Sequence, residues 1–217
     1  MTATSDPVTA SYLDKTRIAY DVVAADYADL ARDLMAGATW DRAVLGAFAE
    51  IASGPVADVG CGPGRITGHL AGLGLAARGI DLSPAMIEVA RRDRPGLSFE
   101  VGSLLDLDLP DGDLGGLVAW YSLVHTPREL LPVAFAEFFR VLRPGGHVLL
   151  AFKAGGQRRT LTSGYGHDDI DLDVYEFPPD LVIELLTEAG FTERMRLVRA
   201  AEEREKQPQA YVLGVKS

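Results

Sequence analysis

The sequence predicts a doubly wound α/β domain, with a mostly parallel sheet and helices on both faces. Short apolar runs alternate with amphipathic ones between residues 56 and 152, as strands alternate with crossover helices. One apolar run, ending at Val59, enters the turn Gly60-Cys61-Gly62-Pro63-Gly64 and then a helix-compatible stretch. The 217 residues suffice for one such domain with a real core, and 47% of them are hydrophobic.

Helices are expected over Thr9–Met35 and Trp40–Ala52. Strands follow at Val56–Val59, Ala76–Ile80, Ser98–Val101, Leu114–Tyr121 and His147–Phe152. Between them lie helices at Ile66–Leu73, Pro84–Asp93 and Glu129–Val141. Parallel strands joined through helices require right-handed crossovers. Ser83 before Pro84 is a helix start, with serine as cap and proline in the first turn. Pro144-Gly145-Gly146 reads as a stop after the Glu129 helix. A loop then covers 154–177, and a helix runs from Asp180 to Ala189. Glu193–Ala201 and Ala210–Val215 bring the strands to seven, joined by the charge run Glu202-Glu203-Arg204-Glu205-Lys206 as a solvated connection. No linker splits the chain, so residues 1–217 form one domain. Residues 1–10 read as a disordered tail, 11–52 as a helical cover and 154–177 as a loop over the active site.

Composition narrows the function. The net charge of −10 repels a polyanion, so no nucleic acid is expected as partner. No apolar run approaches a membrane span, and Met1 to Thr9 lacks the basic start and apolar stretch of a signal peptide. A single cysteine, Cys61, fits a reducing cytoplasm and reads as a small filler in the glycine turn. A cytoplasmic monomer or homodimer acting on a small molecule is expected.

A strand, a glycine turn and a helix start make a ligand cradle, because glycines admit the ligand and the helix start offers free N–H groups. Asp81, closing the next apolar run, suits the two ribose hydroxyls of a nucleotide. A dinucleotide fingerprint needs a glycine at its sixth place, where Arg65 stands, and the Gly-Lys-Ser/Thr of a Walker loop is absent. Asp58-x-Gly60-x-Gly62-x-Gly64 resembles motif I of the class I S-adenosylmethionine-dependent methyltransferases. Tyr20-Asp21-x-x-Ala24-x-x-Tyr27 is similar to the segment that small-molecule members fold over the cofactor. Asp81-Leu82-Ser83-Pro84-Ala85-Met86 looks like their second motif, and Leu142-Arg143-Pro144-Gly145-Gly146 like the turn before the fifth strand.

The resemblance implies a Rossmann-like methyltransferase fold of seven strands whose last strand is antiparallel. It implies S-adenosylmethionine as cofactor, held by Tyr20, Tyr27, Asp58, Gly60, Gly62, Gly64, Arg65, Asp81, Leu82, Met86, Ser103, Leu104 and Trp120. The family commonly carries an acidic residue where Ser103 stands, so the adenine contact passes to Ser103 or the Leu104 backbone. The implied reaction is methyl transfer to an O, N or C atom of a small molecule, with secondary metabolism as its setting. The alternatives are a protein that holds the same cofactor without transferring methyl, as a cyclase or a binding module, and a nicotinamide-dependent reductase.

Two histidines are candidate bases. His125 follows the fourth strand in Trp120-Tyr121-Ser122-Leu123-Val124-His125, which the resemblance places beside the sulfonium. An imidazole titrating near neutrality can take a proton as the methyl arrives. His167 lies in the loop Gly164-Tyr165-Gly166-His167, which could cover the substrate. Asp168, Asp169, Asp171 and Asp173 lack the ligand spacing of a calcium loop, so no metal is expected. That acidic loop could attract a cationic substrate.

Overall fold

A computed structural model describes residues 7–203 and 205–217. Helix α1 (Pro7–Ala31), the short α2 (Leu34–Gly37) and α3 (Thr39–Ile51) precede strand β1 (Pro55–Val59). The alternation then runs α4 (Arg65–Gly72), β2 (Ala76–Asp81), α5 (Pro84–Asp93), β3 (Ser98–Val101) and β4 (Leu114–Trp120). After two 3-10 turns come α6 (Leu131–Val141), β5 (Leu142–Lys153), β6 (Arg158–Leu161) and β7 (Leu172–Tyr175). The chain ends with α7 (Pro179–Glu188), β8 (Phe191–Arg199) and β9 (Gln209–Lys216).

Seven strands form one sheet in the order β3-β2-β1-β4-β5-β9-β8, and β9 runs antiparallel to both neighbours. The alternation along β5 explains the layers. Val148, Leu150 and Phe152 face the core under α6 and α7, while Leu149 and Ala151 face the core under α3 and α4. A sheet covered on both faces has no polar side, which is why Leu114 to Trp120 is buried throughout.

Helix α1 reaches the core under α6 and α7 through Tyr12 and Leu13. Ala24 and Ala28 pack against Met86 and Val89 of α5, and Ala19 and Val23 against Ile170 and Leu172. Asp21 on α1 accepts from the Ser83 hydroxyl (2.6 Å) and the Ala85 N–H (3.2 Å) at the start of α5. Ser83 in turn caps α5 through the Met86 N–H (3.1 Å).

Three expectations are corrected. The tail expected over residues 1–10 lies outside the described residues only as far as residue 6. From Pro7 the chain is helical, and Thr9 is buried. The turn at Pro144-Gly145-Gly146 falls inside β5, where a shift of register between Leu114 and Gly116 on β4 absorbs it. The loop over 154–177 holds a two-stranded hairpin, β6 against β7.

Candidate functional site

Strand order reverses between β1 and β4, and a cavity of about 1120 Å³ opens beyond the C-terminal ends of β1, β2 and β4. Its floor is the glycine turn. Gly60 and Cys61 donate to the Ile80 carbonyl (2.7 and 3.1 Å), which pins the turn to β2. The Asp81 carboxylate holds the turn from the side: one oxygen accepts the Gly62 N–H (2.7 Å), the other the Ser83 N–H (2.9 Å). Burial pushes the Asp81 carboxyl up, and these backbone donors pull it back.

The three glycines differ in what a side chain would meet. Gly60 has a φ of +74°, and a Cβ there would collide with the Cβ of Ser122, so it is required by the close approach of the chain leaving β4. Gly64 packs beneath the Phe99 ring and does not line the cavity. Only at Gly62 would a Cβ project into the cavity, 3.8 Å from Tyr27 and 4.0 Å from Met86.

Tyr20 and Tyr27 project from α1 over this floor, their rings edge to face at 6.0 Å. Arg65, Leu82, Met86, Ser103, Leu104 and Trp120 also line the cavity. Ser103 uses its hydroxyl to accept the Leu105 N–H (3.1 Å). Trp120 Nε1 and Ser122 Oγ are buried with no hydrogen-bond partner among the described residues.

His125 ends the 3-10 turn Leu123–His125 and is 7% exposed. Its Nδ1 lies 2.6 Å from the carbonyl of Asp173. A carbonyl only accepts, so Nδ1 carries the hydrogen. Nε2 of the neutral ring is then an acceptor, and Tyr20 Oη donates to it at 2.7 Å. Burial, more than any other influence, pushes His125 down to about 4, and the Lys153 charge adds to the depression. The near-neutral titration expected of His125 is therefore corrected. Burial likewise raises Tyr20 well above the ordinary phenol range, so the pair is neutral.

Two other expected residues lie away from the cavity. His167 Nε2 faces Asp26 on α1 at 2.8 Å, and it is Tyr165, two residues earlier, that reaches the cavity and packs on Tyr27 at 5.2 Å. Asp58 is fully buried under the glycine turn, where it accepts the Thr67 hydroxyl (2.6 Å) and leaves Oδ1 unpartnered among the described residues. Burial pushes its carboxyl up to about 7, and the Thr67 hydroxyl partly offsets that. A carboxyl raised on folding contributes stability that is present below its ordinary value of 3.8 and lost as pH rises toward about 7. Asp58→Asn should therefore lose less stability than the wild type between pH 5 and pH 7.5, as read from denaturant midpoints. Equal losses would mean that Asp58 ionises normally.

Sequence reasoning passed over several cavity residues. Arg199 and Glu205 pair through two contacts (2.5 and 2.6 Å), so part of the terminal charge run forms a cavity wall and is not merely a solvated connection. Tyr211 donates to Asp41 at 2.7 Å beside it. Lys153 and Arg159 enter from the end of β5 and from β6. No periodicity marks these residues, since their proximity depends on strands that pair late in the chain.

Comparisons with known proteins agree with this geometry. The family described as Methyltransferase domain matches residues 56–146. A malonyl-[acyl-carrier protein] O-methyltransferase of Serratia marcescens is 30% identical over 183 residues, covering 82% of this chain and 67% of the relative. A demethylmenaquinone methyltransferase of Renibacterium salmoninarum is 31% identical, covering 64% of this chain but only 58% of its own length. Among solved structures, the 1,6-didemethyltoxoflavin-N1-methyltransferase of Burkholderia thailandensis superposes with a TM-score of 0.75 at 21% identity, over 96% of this chain and 90% of that one. The magnesium protoporphyrin IX methyltransferase of Synechocystis, solved with bound S-adenosylmethionine, gives 0.73 at 15% identity over the whole of both chains. The glycine turn, the strand order and the match to the Serratia enzyme place this chain in the class I S-adenosylmethionine-dependent methyltransferases.

Proposed function

We propose that this protein transfers the methyl group of S-adenosylmethionine to an O, N or C atom of a small-molecule acceptor, in secondary metabolism. The cavity carries the reading. Its volume of about 1120 Å³ exceeds the roughly 300–1,000 Å³ of most single-ligand pockets, which leaves room for cofactor and acceptor together. The cradle suits the cofactor because Gly62 leaves open the space that a Cβ would fill. A relative named for methylation of demethylmenaquinone supports a small-molecule acceptor, and one named for malonyl-[acyl-carrier protein] supports a small acyl group as the part methylated, without naming this chain's acceptor.

S-adenosylmethionine supplies an activated methyl on a sulfonium, so the protein's task is alignment, exclusion of water and, for an O–H or N–H acceptor, removal of a proton. Gly62 and Asp81 hold the cofactor's methionine and ribose ends, and Tyr20 and Tyr27 cover it from α1. Ser103 and the Leu104 backbone take the adenine. Asp58 and Gly64 act from beneath, by shaping the turn. Tyr20 Oη receives the acceptor's proton as its own hydrogen passes to His125 Nε2, and the Asp173 carbonyl holds the imidazole in the accepting tautomer. His167 tethers the loop that presents Tyr165.

The test is transfer of label from methyl-labelled S-adenosylmethionine into the small-molecule fraction of a cell extract, with Asp81→Ala as the control. That variant loses acceptor bonds of about 1.5–3 kcal/mol, so cofactor affinity should fall roughly ten- to a hundred-fold. Because Asp81 also clamps Gly62 and Ser83, the loss should not be restored by Asp81→Asn, whose amide nitrogen would meet a backbone N–H. A loss below about threefold would assign the ribose to another residue. Cofactor binding with no labelled product from any fraction would favour the binding protein.

A further inference from the structure

Past His125, the cavity is bounded by the end of β5 and by the β6–β7 hairpin. Alternation along β6 sorts its side chains. Arg158 and Thr160 turn outward and hold the Asp173 carboxylate (2.9 and 2.7 Å), so Arg159 and Leu161 turn inward, opposite Val174 of β7. Lys153 closes β5 beside them and lies near enough to His125 for its charge to act on the ring.

These two cations differ from their neighbours. Arg199 in the same cavity is paired with Glu205, Arg158 with Asp173, and Lys15 with Asp171 (2.6 Å). Neither Lys153 nor Arg159 has a carboxylate within ion-pairing distance among the described residues. Arg159 Nε is cut off from solvent with no hydrogen-bond partner among them. The Arg159 side chain as a whole lines the cavity, and an anion presenting two oxygens is the natural complement of a guanidinium. Burial, and then the charge of Arg159 beside it, pulls the Lys153 ammonium below its ordinary value, and Glu176 offsets only part of this, so an anion between the two cations would restore the charged form. Positive charge concentrated here, in a chain of net charge −10, runs against the overall field.

We propose that the methyl acceptor is an organic acid whose carboxylate is seated by Lys153 and Arg159, with its apolar body against Leu161 and Val174. This rests on the methyltransferase reading and adds the acceptor's class to it. A monoanion fits better than a phosphate dianion, because Glu202 and Glu203 also line the cavity. The acidic segment 168–173 does not draw in a cation at this point: Asp171 and Asp173 are already occupied by Lys15, Arg158 and Thr160. The seat lies one residue along the hairpin from Asp173, whose carbonyl fixes His125, so a carboxylate held there brings the rest of the acceptor up to the Tyr20–His125 pair.

The test uses the full chain saturated with S-adenosylhomocysteine. Calorimetry then compares a series of straight-chain alkanoates with the matching amides and alkyl phosphates. The alkanoates should bind about tenfold or more tightly than their amides, since a charge-assisted pair is replaced by a neutral contact. Lys153→Met and Arg159→Leu should each erase most of that preference while S-adenosylhomocysteine affinity stays within about twofold, which also reports an intact fold. Equal binding of acid and amide, a preference for phosphates, or an acid preference that survives the double variant would overturn the assignment. Failure of the wild type to bind S-adenosylhomocysteine would instead remove the methyltransferase reading itself.

Discussion

Gly62→Val should abolish S-adenosylmethionine binding while leaving the sheet and its helices in place. The Cβ of a residue here would stand in the cavity, in ordinary contact with Tyr27 and Met86, and the two further methyls of valine would occupy the cofactor's space. The φ of +53° adds strain, about 1–2 kcal/mol for a residue with a side chain. In a chain of this size that amounts to a fall in melting temperature of roughly 2–8 °C, not to unfolding. The same change at Gly64 would drive into Phe99, and at Gly60 into Ser122, so those variants should lose stability first. Calorimetry of the folded Gly62 variant separates the two kinds of loss. An unchanged affinity there would detach the glycine turn from the cofactor.

The strands and crossover helices were legible because their signal is local. The runs of β1 and β4 are parallel strands buried on both faces, and the glycine turn after β1 and the Ser83 cap before α5 mark their own boundaries. The position of Asp81 at a strand end was legible for the same reason, and so was the place of His125 after β4. The surroundings of His125 were not. Its two partners come from 48 and 105 residues away, and the burial that lowers its basicity exists only once α1 and β7 close over it. The β6–β7 hairpin was hidden because both strands are only four residues long, Arg158–Leu161 carries a single apolar residue, and glycines and aspartates separate the two. That hairpin carries Arg159 and Val174 into the cavity, so this wall of it could not be read before the hairpin was known. Asp58 shows the reverse difficulty: a motif position suggests a ligand contact, whereas the fold puts the side chain beneath the turn, against Thr67.

On the proposed role of the imidazole in taking up the acceptor's proton, His125→Ala should lower turnover by roughly 10²–10⁴ while S-adenosylmethionine affinity changes little. Tyr20→Phe keeps the ring over the site but breaks the 2.7 Å hydrogen bond, and should cost a similar factor in kcat. If proton removal runs through both groups, the double variant should be no slower than the worse single one, since residues acting as a unit are not additive. The pH dependence follows from burial. A histidine pushed down to about 4 is neutral from pH 6 to pH 9, so kcat should show no break near the ordinary histidine value of 6.5. Its folded value lies below its ordinary one, so the stability it contributes is present above pH 6.5 and is lost as pH falls toward about 4. A carboxylate seated on Lys153 would cancel part of the charge that depresses the ring, making His125 a better acceptor once the substrate is in place. His125→Gln can still accept from Tyr20, yet takes up a proton far less readily than imidazole. Recovery of turnover in that variant would mean that His125 only positions Tyr20. Near-normal turnover of His125→Ala across pH 6–9 would leave catalysis to alignment alone.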